Sequence, residues 1–127
     1  MSPEQSVRNL AVIRLAIGVG AWLFPNLAGR LFGLDPRGNP QSPYLARLFG
    51  VRDIALALGA LQSSGSARRQ WVQLGVLCDV ADTAAATFGQ RAGYLSTPTA
   101  VLVGVPAVTA TALGTQALKA PGGSTAA

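Results

Sequence analysis

Six charged residues lie inside apolar stretches, and they are the groups in this chain that could do chemistry. Arg52 and Asp53 are adjacent within RLFGVRDIALALGALQ, residues 47–62, which opens on Arg47. Asp79 and Asp82 stand three apart in CDVADT, and Arg14 lies in the first apolar block. The spacing of Asp79 and Asp82 puts both on one face of a helix, and Thr83 and Thr87 extend that face. Two close carboxylates in a low-dielectric setting can divide the roles of acid and base. The chain has no histidine, so any acid or base must be an aspartate. The chemistry this would suit is proton transfer on a lipid-soluble substrate: isomerisation, cyclisation or epoxide opening. Asp79 and Asp82 are then the candidate acid/base pair. Arg14 and Arg52 would bind an anion or an oxygen, with Asp53, Arg47 and Thr83 completing the ligand-binding set.

Other chemistries find no support. Without histidine, and with Cys78 the one cysteine, the usual metal ligands are missing and no metal or other cofactor is expected. Cys78 lies within an apolar block and reads as a small core residue. The net charge of +5 could suggest nucleic acid. However, no basic run exceeds Arg68–Arg69 and no aromatic residues interleave it, so nucleic acid is not an expected partner.

The elements that must position these residues are four apolar blocks. Charged residues make up 12% of the chain and hydrophobic ones 50%. The blocks cover about residues 7–24, 44–62, 71–88 and 98–118, each long enough to cross ~30 Å of hydrocarbon as a helix. The expected fold is all-α: a four-helix transmembrane bundle in a single domain over residues 1–119. A short interfacial helix is expected between spans 1 and 2, over 26–34, where Leu27, Leu31 and Leu34 recur at helical spacing around Arg30. Residues 120–127, APGGSTAA, read as a disordered tail.

Local signals set the boundaries. Ser2-Pro3-Glu4-Gln5 is a helix start, and Pro25 stops that helix after Phe24. Phe24 is followed by PNLAGR, which lacks a small-x-small cleavage signal, so the first block is expected to remain as a span. Ser42-Pro43 and Thr97-Pro98 start later helices. Residues 62–70 (QSSGSARRQ) read as a flexible polar connection, and 89–96 (GQRAGYLS) as a tight turn. Pro106 falls in the middle of the last block and should kink it. Trp22, Trp71 and Tyr94 lie near block ends, where aromatic belts form. Small residues recur four apart at Ala16/Gly20, Ala46/Gly50, Ala55/Gly59, Ala100/Gly104 and Ala110/Gly114, which favours close helix packing. Basic residues divide four to three between the two sides, a slight bias towards cytoplasmic termini.

Six unpaired charges at the centre of the spans would cost on the order of 15–20 kcal/mol, more than a typical domain's net stability. They must therefore pair. The second and third blocks should run antiparallel, which brings Arg52 level with Asp79 and Asp82. Arg14 falls near mid-depth of the first block. Arg52 and Asp53 point about 100° apart on their helix, so they cannot share one partner face. The expected pairs are Arg52 with Asp79 or Asp82, and Asp53 with Arg14. Arg47 is nearer its helix end and can reach the interface instead.

The segment RLFGVRDIALALG, followed by W-x6-C-D-x-x-D-T, resembles small four-span bacterial membrane proteins that are loosely DoxX-like. These carry an Arg-x-Phe-Gly-x-Arg-Asp segment on the second span and an acidic third span. Arg47, Phe49, Gly50, Arg52 and Asp53 match it, and the resemblance covers about residues 7–118. It implies a four-helix membrane fold and says little about activity.

The first functional reading is therefore an accessory or assembly protein, multi-pass in the cytoplasmic (inner) membrane of a bacterium. Its charges would lock its own helices or a partner's. One alternative is an intramembrane enzyme or binding protein with an amphipathic or lipid-like ligand. Another is a proton-coupled small transporter, which would need to oligomerise. The expected partners are the lipid bilayer and, beyond it, a second copy of the chain or another membrane protein.

Overall fold

The computed structural model describes residues 1–119, so the expected disordered tail at 120–127 lies outside the described residues. Among these there are five helices and no strand: α1 (Pro3–Leu23), α2 (Pro25–Leu31), α3 (Ser42–Gln62), α4 (Gly65–Arg91) and α5 (Thr97–Leu118). The all-helical class is as expected. Two of the helices, α1 and α5, are long and apolar enough to cross a membrane. The charges in α3 and α4 set them apart from these two.

The starts follow from their caps. Ser2 and Gln5 form a reciprocal capping box at α1, with Pro3 in the first turn. The Ser96 hydroxyl accepts from the Thr99 amide at the start of α5. The short second helix begins at Pro25, one residue earlier than its leucine pattern suggests, because proline suits the first helical position.

Two connections differ from expectation. The polar stretch 62–70 is not an open linker: only Ser63 and Ser64 separate α3 from α4. Gly65, at φ +54°, lets the chain reverse. The Arg68 side chain then folds back and donates to the carbonyls of Ala60 and Ser63 at 3.1 and 2.8 Å. Those carbonyls end α3 and have no helical donor, which draws a basic side chain to them. At the other end, α4 runs on through Gly89 to Arg91. The turn is confined to 92–96, with Tyr94 folded over Gly89.

α1 packs mainly on α3, and α4 mainly on α5. Contacts of α1 with α5 and of α3 with α4 close the ring, so the order around the bundle is α1, α3, α4, α5. α2 lies against α1 and α3. The closest crossing is at Gly18 and Gly50. A Cβ on either would stand 2.6 Å from the other's carbonyl oxygen, so no side chain fits there. Gly59 lies beneath the Trp71 indole, and Gly114 meets Val76 across α4 and α5. Gly20 and Gly104 face open space. Three of the five small pairs therefore supply a contact glycine, and at α1 that role falls to Gly18 instead of Gly20.

The distribution of side chains is inverted relative to a water-soluble bundle. The buried apolar residues are Leu10, Leu56, Val72 and six alanines, whereas the large apolar residues point outwards. Exposed ones include Val12, Val19 and Leu23 on α1, and Leu45, Leu48 and Val51 on α3. On α4 and α5 they include Leu74, Leu77 and Val80, and Val101, Val105 and Val108. Trp22 and Tyr94 are exposed near helix ends, while Trp71 turns inwards over Gly59.

Candidate functional site

The buried polar residues include Arg14, Asp53 and Asp79, and they belong to one network. Arg14 projects from the middle of α1. Its Nη1 donates to Asp53 Oδ1 on α3 at 3.3 Å, and its Nη2 donates to Asp79 Oδ2 on α4 at 2.5 Å. α1 and α4 occupy opposite corners of the bundle, so the arginine crosses the interior. Gly75 makes this possible: a Cβ there would lie 3.0 Å from Arg14 Nη2.

Arg52 forms the second half of the network. Its Nη1 and Nη2 donate to the two carboxylate oxygens of Asp82 at 3.0 and 2.6 Å, a bidentate pair between α3 and α4. Its Nη2 also lies 3.6 Å from Asp53 Oδ1. Asp53 Oδ1 therefore stands between two guanidiniums. The charges alternate in the order Asp79, Arg14, Asp53, Arg52, Asp82. The Arg52 guanidinium also covers the Phe49 ring, 4.5 Å from its centroid. Arg52 Nε is buried and finds no acceptor among the described residues.

The two halves differ in exposure. The side chains of Arg14, Asp53 and Asp79 are 4–6% exposed, those of Arg52 and Asp82 32%. The inner group is thus sealed, and the outer pair opens at the seam between α3 and α4.

The structure brings together five of the seven sequence-derived site residues. Arg52 meets Asp82, and Arg14 meets Asp53. Asp79, which the sequence offered as a partner for Arg52, is held by Arg14. That link has no local signal, because it depends on Gly75 leaving a gap across the bundle. Arg47 lies apart and donates through Nε to the Trp22 carbonyl at 3.1 Å, at the end of α1. The Thr83 hydroxyl donates to the Asp79 carbonyl of its own helix at 2.9 Å. Thr83 also borders a shallow open groove with Val80, Ala84, Val108 and Thr111.

Without Arg47, the six-charge balance of three and three becomes two arginines against three aspartates. Asp79 and Asp82 are each bound to a different arginine and do not converge on a common space. The cavity beside Arg14, bordered by Leu10, Ala11, Leu56, Ala57 and Gly75, measures about 10 Å³. That is room for about one water molecule and not for an organic substrate.

Sequence reasoning missed a second role for arginine. Arg47 serves the end of α1, Arg68 that of α3, and Arg69 donates to the Leu118 carbonyl of α5 at 2.8 Å. Three helix C-termini are thus closed by side chains from elsewhere, which complements their negative ends. Arginine near a block end was the only signal, and it served equally well for a lipid-headgroup contact.

These features define an all-helical protein with two helices suited to a membrane and a buried Arg–Asp network. No family model, curated protein or solved structure matches the chain.

Proposed function

We propose that this chain is a four-span protein of the bacterial cytoplasmic membrane. In this reading it is a non-enzymatic accessory or assembly protein whose Arg–Asp network locks its helix order. The observation that carries the reading is the inversion of the bundle. Large apolar side chains face outwards on all four long helices, while Arg14, Asp53 and Asp79 are sealed inside and paired. In water, so much exposed leucine and valine would invite aggregation; in lipid it is the expected surface.

The charges that lower the apolarity of α3 and α4 include the ones paired in the network, so they do not count against insertion as free charges would. The threonines agree. Thr83, Thr87, Thr109, Thr111 and Thr115 each donate to the carbonyl four residues earlier, which satisfies a hydroxyl where no water is available. The likeness to small four-span bacterial proteins of the loosely DoxX-like kind is part of the same proposal. A structural role for the network is preferred over acid–base catalysis because Asp79 and Asp82 are split between two arginines, and the cavity beside Arg14 has room for about one water.

Two measurements test this. The full chain should resist extraction from membranes by alkaline carbonate, and release would overturn the membrane reading. Topology reporters then count the spans. With four, a reporter at 63–64 lies on the opposite side from one at 92–96. If only α1 and α5 cross, both reporters fall on one side.

A further inference from the structure

We propose that the seam between α3 and α4 is a homodimer interface, where Arg52 and Asp82 of one copy face Asp82 and Arg52 of a second. The inference rests on the membrane reading above and goes beyond it by naming the partner and the contact. Its starting point is the difference in exposure within the network. Arg14, Asp53 and Asp79 are sealed by the chain itself, whereas Arg52 and Asp82 remain about one-third exposed at the seam. In a single copy those two charges would meet lipid near mid-depth, where ionisable groups usually face protein or water.

The pair has the symmetry that a second copy needs. A two-fold axis along the membrane normal brings residues of equal depth together, and each contact then occurs twice. Arg52 and Asp82 are at equal depth, because each carboxylate oxygen of Asp82 accepts from Arg52. Rotation about an axis at the seam therefore places each positive group against the other copy's negative one, giving a ring of four alternating charges. A partner of one charge sign would leave one member of the pair facing its like.

The surroundings permit close approach. Cys78 is one turn from Asp82 on the same face of α4, and Ala85 follows three residues later. Ala55 lies about one turn from Arg52 on α3, towards the level of Cys78. These short side chains leave room for a second copy to approach the charges. Leu48, one turn the other way, is exposed and supplies apolar contact.

The test uses the full chain in lipid vesicles, with one fluorophore per chain and subunits counted by photobleaching as the lipid is diluted. The expected result is two steps per particle for wild type. One step would overturn the proposal. Arg52→Asp and Asp82→Arg should each lose the dimer alone and regain it when co-expressed, since the mixed pair restores both opposite-charge contacts. Absence of that rescue, with both variants still inserted, would also overturn it. If a variant fails to insert, wild type still decides the matter. A short bismaleimide should link copies through native Cys78, but not through Val105→Cys on α5 in a Cys78→Ser background. The reverse pattern would refute the seam. Carbonate release of wild type would instead mean that the membrane reading has failed, and the interface with it.

Discussion

Replacing Arg14 should be the most damaging single change in the network. The reason is its arithmetic. Among the described residues Arg14 is the only cation in direct contact with Asp79, and it makes the shorter of the two arginine contacts to Asp53. Arg14→Gln leaves one arginine among three aspartates, two of them about 4% exposed. Removing one partner of a buried ion pair costs about 3–5 kcal/mol, and here Asp79 loses its partner while Asp53 keeps only the 3.6 Å contact to Arg52. That loss is comparable to the whole stability of a typical domain, ~5–15 kcal/mol. The assay is unfolding of the purified full chain in mixed micelles of rising denaturing-detergent content, followed by circular dichroism. Arg14→Gln should show little or no folded baseline. Neutralising the stranded acids should restore much of it, because replacing all members of a buried charged group is far less harmful than removing one. The triple variant Arg14→Gln/Asp53→Asn/Asp79→Asn is therefore expected to be more stable than Arg14→Gln alone. Wild-type stability in Arg14→Gln, or a triple variant no better than the single, would refute the reasoning.

Other outcomes rest on particular contacts. Asp53→Asn should lower stability by no more than about 1 kcal/mol, since the amide oxygen can still accept from Arg14 Nη1 and two closed pairs remain. Asp79→Asn, which weakens the shortest contact in the network, should cost more in the same titration. Gly18→Leu should cost about 1–3 kcal/mol or more by forcing α1 off α3, while Gly20→Ala, facing open space, should be neutral or stabilise by up to about 1 kcal/mol. Arg68→Ala removes the donor to two carbonyls at the end of α3. It should cost about 1 kcal/mol and speed hydrogen exchange at 63–68, measured by mass spectrometry.

Most of the helices, and the need for the charges to pair, can be read from local sequence. Helix starts at Pro3 and Thr97 were legible because their caps are local, made by residues a few positions apart, and the start at Ser42, which has no side-chain cap, because Pro43 suits a first turn. Pairing was legible because unpaired charge in an apolar block is too costly to keep. The connection at 62–70 was misread because polarity alone does not distinguish a loop from a helix whose arginine turns back on the preceding carbonyls. Which charges meet is set by how the helices pack. Arg14 reaches Asp79 through a gap left by Gly75 on another helix, and Arg47 leaves the network for the carbonyl of Trp22. Both depend on how helices distant in sequence are rotated and spaced, and no local pattern encodes that. The tight crossing at Gly18 and Gly50 has the same origin: each glycine is needed only because the other helix's backbone lies against it.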